Sequence, residues 1–136
     1  MRAKARRTIL ALLIVPVPIF AGEACARPFH FPPVTEPDAG YVQQGVASWY
    51  GPGYHGRRTS SGEVFDQEAM TAAHVNFAFG TQAKVTLLST GRSVVVRIND
   101  RFPAHKGRVI DLSRAAARRI GLLGPGTGMV RMEVVR

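Results

Sequence analysis

Five short runs rich in β-branched and other apolar residues recur along the chain after residue 44. They are separated by Gly, Pro, Ser and Thr, and runs of this length with such boundaries are typical of strands. Ser89-Thr90-Gly91 lies between two of the runs and predicts the turn of a hairpin. The runs are GVASWYG, AKVTLLST, SVVVRIND, GRVIDL and GMVRMEVV.

One helix is predicted over the segment RAAARRI. Ser113 precedes it and can cap its amino end, and Gly121 follows it and is suited to end it. Several short strands with a single short helix indicate a mainly β fold, either a small barrel or a sandwich.

An apolar run over residues 9–20 follows a basic start and precedes the triplet Ala24-Cys25-Ala26. This layout predicts a signal peptide over residues 1–26 and an exported protein of the periplasm or cell envelope. A membrane-spanning anchor is the alternative. We expect no stable membrane span, because the run contains Pro16 and Pro18 and is shorter than the ~20 apolar residues that a span needs.

Cys25 allows a second interpretation of the same segment, a lipid anchor attached at that cysteine. Gly22-Glu23-Ala24 lacks the aliphatic residue that lipid-attachment signals carry three positions before the cysteine. Cleavage after Ala26 is therefore the favoured interpretation. The mature chain would then contain no cysteine, and packing without disulfides would hold the fold.

Residues 27–42 contain four prolines and show neither strand nor helix periodicity. They are predicted to form an extended linker or arm, followed by one domain over residues 43–136. The chain has a formal charge of +9, which favours anionic surroundings. Because the basic residues are spread along the chain of an exported protein, we expect an anionic envelope polymer as partner and no nucleic acid.

Residues 50–66 combine aromatic, hydroxyl and basic side chains. Sugar rings and their hydroxyls bind to such mixtures, although a solvated surface loop explains the composition equally well. Strand alternation puts Trp49 and Tyr50 on opposite faces, which predicts a packing role for Trp49 and a groove position for Tyr50. The candidate sugar-binding residues of this stretch are Tyr50, Tyr54, His55, Arg57 and Thr59.

Asp100 stands at the end of the apolar run SVVVRIND, a position where a rigid strand can present a general acid. The structural alternative is that Asp100 forms an ion pair with Arg101 or caps a turn with Asn99. His74 has small apolar neighbours, and a histidine in such a place is more often structural than catalytic. The four histidines lack metal-ligand spacing, so we expect no metal and no other cofactor.

Six segments together closely resemble the rare lipoprotein A family over residues 45–136. The resemblance implies a six-stranded double-psi β-barrel and an endolytic lytic transglycosylase. Such an enzyme cuts the β-1,4 bond between N-acetylmuramic acid and N-acetylglucosamine in peptidoglycan, leaves a 1,6-anhydro sugar, and prefers glycan strands without stem peptides. The segments, in chain order, are GVASWYG, HGRRTSSGEVFD, TAAH, FGT, TGRSVVVRINDR and GRVIDLSRAAARRIG.

The resemblance also implies which side chains act. The carboxylate of the NDR motif falls on Asp100, the glutamate after SG on Glu63 and the histidine of AAH on His74. These three are the predicted catalytic residues. Asn99 and Arg101, which flank the acid, are predicted to contact the sugar.

The chain departs from the family at Phe102, where glycine is usual, so we expect a different loop backbone or subsite beside Asp100. This departure keeps open a second function, an expansin-like protein that binds peptidoglycan without cutting it. Formation of anhydro-sugar ends distinguishes the enzyme from the binding protein.

Overall fold

The computed structural model describes residues 32–136. The predicted signal peptide, residues 1–26, and Cys25 lie outside this range. A short 3₁₀ helix, Pro52–Tyr54, follows the first strand. The remaining elements are β1 (Val42–Trp49), β2 (Thr71–Ala73), β3 (Gln82–Leu87), β4 (Ser93–Asp100), β5 (Arg108–Leu112), α1 (Arg114–Ile120) and β6 (Thr127–Val134).

Within residues 32–136, the six strands close into a barrel in the order β1-β5-β2-β4-β3-β6. The pairs β1–β5 and β2–β4 are parallel, and the other four pairs are antiparallel. The predicted class, a mainly β barrel of six strands with one short helix, is confirmed. β3 and β4 form the hairpin predicted from Ser89-Thr90-Gly91.

Strand alternation decides which side chains fill the barrel. In β4, Val94, Val96 and Ile98 are buried, whereas Val95 is 48% exposed. The same alternation in β3 and β6 buries Val85 and Met132. The apolar run that ends at Asp100 is therefore anchored in the core on alternate residues, which makes it a rigid support for that carboxylate.

Helix α1 has the boundaries that the sequence predicted. The Ser113 hydroxyl accepts a hydrogen bond from the backbone N–H of Ala116 at 3.2 Å. Gly121 ends the helix with a φ of +84°, a left-handed conformation that favours glycine. The helix lies against the barrel through Ala116, Ala117 and Ile120, which are fully buried.

The predicted linker, residues 27–42, is partly joined to the barrel. The N–H of Thr35 donates to the carbonyl of Asn76 at 2.8 Å, and the N–H of Ala78 donates to the carbonyl of Thr35 at 2.8 Å. β1 begins at Val42, the last residue of that segment. No helix in residues 32–136 is long and apolar enough to cross a membrane.

Gly45 lies where β1 approaches the chain just before β5, and it leaves no room for a side chain. A Cβ at this position would lie 2.4 Å from Val109 Cγ1 and 2.9 Å from the carbonyl oxygen of Gly107. We expect Gly45→Ala to lower the free energy of unfolding by about 1–3 kcal/mol, since overpacking forces backbone shifts. Chemical denaturation measures this.

Gly53→Ala is the matched control, because a Cβ at Gly53 would meet nothing within 4 Å. Equal stability of the Gly45→Ala protein and the wild type would contradict the close approach of β1 and β5.

Candidate active site

A cleft of about 480 Å³ opens at one end of the barrel, beside the last residues of β1 and β4. The pairing of the strands explains why two carboxylates meet there. Ala73 of β2 pairs with Asp100 of β4 on one side and with Asp111 of β5 on the other. Two strand spacings therefore separate the Cα atoms of the two aspartates by roughly 10 Å, and both residues line the cleft.

The Asp100 carboxylate is held by two backbone donors. The N–H of Ser60 donates to its Oδ1 at 2.9 Å, and the N–H of Arg101 donates to the same oxygen at 2.8 Å. The ion pair with Arg101 that was the structural alternative is not formed in the described part of the chain. The Arg101 guanidinium instead donates to the carbonyl of His74 at 3.3 Å and lies 4.1 Å from the ring centroid of Phe79.

Aromatic rings form another wall of the cleft. Tyr50 stacks on Phe65 with a centroid distance of 4.3 Å and meets Tyr54 edge to face at 5.9 Å. Burial, together with the charges of Asp100 and Asp111, raises the pKa of the Tyr50 phenol, so its hydroxyl keeps its proton. Tyr54 is 54% exposed at the mouth and offers its ring to a sugar.

Trp49 packs against the core as predicted, but it also lines the cleft beside Tyr50. The prediction that the two residues lie on opposite faces, with only Tyr50 near the groove, is wrong, because both line the cleft. β1 ends at Trp49, so strand alternation does not extend to Tyr50.

Asp111 is the cleft carboxylate that the predicted site omitted. Its Oδ1 accepts hydrogen bonds from the Arg108 guanidinium and from the Ser48 hydroxyl. Only 13% of the Asp111 side chain is exposed. The alternation of GRVIDL and the position of Ser48 in GVASWYG were the available signals, but neither places Ser48, Arg108 and Asp111 together without the β1–β5 pairing.

Phe102 is buried and lines the same cleft. The Arg108 guanidinium carbon lies 5.3 Å from its ring centroid, within the range of a cation–π contact. The Phe102 ring therefore supports a cleft arginine.

Glu63 lies outside the cleft lining and is bound to β4. Its two carboxylate oxygens accept hydrogen bonds from Arg97 at 2.6 and 2.9 Å, and Asn99 Nδ2 donates to Oε2 at 3.1 Å. The hydrogen bonds from Arg97 and then Asn99 lower the pKa of the Glu63 carboxyl, so this group remains an anion.

His74 also lies outside the cleft lining, although it follows the cleft residue Ala73. Its Nδ1 accepts from the N–H groups of Asn76 and Phe77 at 3.2 and 3.1 Å, so Nε2 carries the proton and donates to Gln43 at 3.3 Å. The ring is 3% exposed and stacks on Phe77. Burial, and secondarily the charge of Arg101, lowers the pKa of His74 to about 4.

The remaining predicted sugar contacts divide between the cleft and its surroundings. Arg101 lines the cleft with Tyr50 and Tyr54. Asn99 is buried against Glu63, and Thr59 is buried in the loop that precedes Glu63. The other two predicted residues, His55 and Arg57, are exposed on the loop that follows the 3₁₀ helix.

No group of three or more metal-ligating side chains occurs among residues 32–136. The arrangement at the cleft is a carboxyl group fixed by backbone donors, a second aspartate bound to arginine, and aromatic rings of which Tyr54 is exposed. Such a site can transfer a proton to a polar substrate that lies on the rings.

Comparison with known protein families gives a match over most of the barrel. The family model described as "DPBB_1: Lytic transglycolase" matches residues 42–134. A Synechocystis protein named "Probable endolytic peptidoglycan transglycosylase RlpA" is 59% identical over 95 residues, which are 70% of this chain and 30% of that protein. The endolytic peptidoglycan transglycosylase RlpA of Vibrio cholerae is 51% identical over 96 residues, 71% of this chain and 36% of that protein. The chain thus spans about a third of the length of these relatives.

Two solved structures share the fold. The Streptomyces papain inhibitor superposes with a TM-score of 0.58 at 22% identity, covering 72% of this chain and 97% of the inhibitor. The apo expansin of Clavibacter michiganensis superposes with a TM-score of 0.55 at 24% identity, covering 71% of this chain and 51% of the expansin. At these identities the likeness shows a shared barrel fold and nothing about function.

Proposed function

The chain is an RlpA-like member of the lytic transglycolase family, and from this premise we propose that it is an endolytic peptidoglycan transglycosylase. It cleaves the β-1,4 bond between N-acetylmuramic acid and N-acetylglucosamine. The protein acts outside the cytoplasm, in the cell envelope, where this polymer is found. The observation that carries the proposal is the Asp100 carboxylate in a cleft lined by Tyr50 and by the exposed ring of Tyr54.

The proposed reaction needs one carboxyl group that works twice. Protonated Asp100 gives its proton to the glycosidic oxygen, the bond from that oxygen to C1 of N-acetylmuramic acid breaks, and positive charge develops at C1. The 6-hydroxyl of the same sugar then attacks C1. Asp100, now an anion, takes the hydroxyl proton, so the product is the 1,6-anhydro sugar and no water is consumed.

The surroundings of Asp100 support this assignment. The N–H groups of Ser60 and Arg101 fix Oδ1 at 2.9 and 2.8 Å, so the carboxyl group has a defined direction. Tyr54 and Tyr50 supply ring surface for the sugar. Asp111, held by Arg108 and Ser48, lines the same cleft, and a second carboxylate there can stabilise the positive charge that develops at C1.

We further propose that the preferred substrate is a glycan strand without stem peptides. The test compares such strands with peptide-bearing strands, using purified protein and mass spectrometry of the products. We expect 1,6-anhydro ends to accumulate faster on the stripped strands. Reducing ends without anhydro sugar would indicate a hydrolase, and binding without any product would move the protein to the expansin-like, non-cutting function.

A further inference from the structure

We propose that Arg97 is a positioning residue for Asp100, acting through Glu63 and the backbone N–H of Ser60. This inference rests on the proposed function. It assigns to Glu63 the task of holding a loop, rather than contact with the reacting sugar. The chain of contacts is called the Arg97 clamp below and consists of Arg97, Asn99, Glu63 and Ser60.

The first link of the clamp joins strand β4 to the loop. Arg97 and Asn99 are two residues apart on β4, so their side chains leave the strand on one face. Arg97 binds both oxygens of Glu63, at 2.6 and 2.9 Å, and Asn99 adds a third donor at 3.1 Å. A two-point contact between a planar guanidinium and a carboxylate fixes direction as well as distance.

The second link is a tight turn that makes the loop one unit. The N–H of Thr59 donates to the carbonyl of Glu63 at 2.7 Å, and the N–H of Gly62 donates to the carbonyl of Thr59 at 3.0 Å. The Arg58 guanidinium closes the turn further by donating to the carbonyl of Gly62 at 2.7 Å. A displacement of Glu63 therefore moves Ser60, which lies inside the same turn.

The third link reaches the reacting group. The N–H of Ser60 donates to Asp100 Oδ1 at 2.9 Å, and Arg101 N–H donates to the same oxygen. Among residues 32–136, both donors use Oδ1, which leaves Oδ2 of Asp100 for the proton that is transferred. Loss of the Ser60 donor frees the carboxyl group to rotate away from the glycosidic oxygen.

A purely structural role for the pair of Arg97 and Glu63 predicts that its removal leaves kcat per folded molecule unchanged. The side chains of Arg97 and Glu63 are 42% and 45% exposed, and ion pairs at such exposure contribute little to stability. Removing the pair should thus hardly change the melting temperature. A positioning role predicts a fall in kcat of about 10- to 100-fold, because small misplacements of a catalytic group are costly.

The variants Arg97→Gln and Glu63→Gln test the clamp in the full chain, with Arg97→Lys as the conservative change. We expect each glutamine variant to lower kcat while KM for stripped glycan strands stays within about threefold of the wild type. Arg97→Lys should restore part of the rate, since it keeps the charge but loses the two-point contact. Arg131→Gln is the matched control, because Arg131 forms a 2.7 Å pair with Glu133 at similar exposure on β6.

Amide hydrogen exchange gives a second measurement that does not depend on activity. We expect the Ser60 N–H to exchange at least ten times faster in Arg97→Gln than in the wild type, and unchanged exchange in Arg131→Gln. Wild-type kcat or wild-type Ser60 exchange in Arg97→Gln would overturn the proposal. So would a loss of kcat in Glu63→Gln that Arg97→Gln does not share, since Glu63 would then act on the sugar directly. An inactive wild type with the expected change in Ser60 exchange would overturn the proposed function and leave the clamp in place.

Discussion

Replacing Asp100 with asparagine is expected to lower the formation of anhydro product by ~10²–10⁴-fold, the amount that acid–base catalysis typically contributes. Asparagine keeps the size of aspartate and an oxygen that can accept from the N–H groups of Ser60 and Arg101. It removes the transferable proton and, with it, the anion that takes the proton back. The melting temperature and the binding of stripped glycan strands should therefore stay close to those of the wild type.

Asp66→Asn is a suitable control, because Asp66 is an exposed carboxylate outside the cleft lining. Product formation is measured by mass spectrometry, and glycan binding by co-sedimentation. A well-folded Asp100→Asn protein with wild-type product formation would remove this residue from the mechanism. A large loss of stability with an unchanged rate per folded molecule would show that Asp100 serves the fold.

Lowering the pH from 6.5 to 4 is expected to remove about 3 kcal/mol of stability through His74 alone. Burial lowers the pKa of this residue in the folded protein to about 4, against an ordinary value of 6.5. Between these two values the unfolded chain takes up a proton that the folded protein does not. The free energy of unfolding therefore falls as the pH falls through this range, and this contribution levels off below pH 4.

Urea denaturation at several pH values measures the effect in the wild type and in His74→Gln. The variant should lose this part of the pH dependence, and the difference between the two curves isolates His74 from the carboxylates. His55→Gln, which removes an exposed imidazole, should follow the wild-type curve. Identical pH dependence of the wild type and His74→Gln would contradict a neutral, buried His74.

The hydrogen bonds of His74 also bear on the catalytic role that the family motif predicts for this residue. Its Nδ1 accepts two backbone N–H groups and its Nε2 donates to Gln43, so both ring nitrogens have partners outside the cleft. We expect His74→Gln to keep most of the rate per folded molecule at pH 7. The shared backbone contact, from the N–H of His74 to the carbonyl of Asp100 at 3.1 Å, gives the histidine an indirect link to the acid.

Five strands and the helix were predictable because each has a local signal. Alternation marks β4, and Ser113 and Gly121 mark the ends of α1. β2 has three residues, Thr71–Ala73, all of them buried, and three residues are too few for alternation to appear. The barrel order has no local signal at all, because it depends on which distant strands pair.

The site residues were likewise predictable only where the sequence carries a local signal. Asp100 was found from its position at a strand end and from the family motif, and the structure places it in the cleft. Asp111 and Arg97 were missed as site residues because their importance depends on the β1–β5 and loop–β4 contacts. Asp111 meets Ser48, which is 63 positions away, and Arg97 meets Glu63, which is 34 positions away. Such separations leave no pattern in a short window of sequence.

The closure of the barrel by its last strand has a consequence for the order of events during synthesis. β6 pairs with both β1 and β3, so neither of these strands has its full set of partners until residue 134 has been made. Pairings between such distant segments also form slowly, because the entropy of closing long loops is lost before the contacts form. We therefore expect the barrel to complete its folding only after β6 has been made, and folding to take milliseconds to seconds.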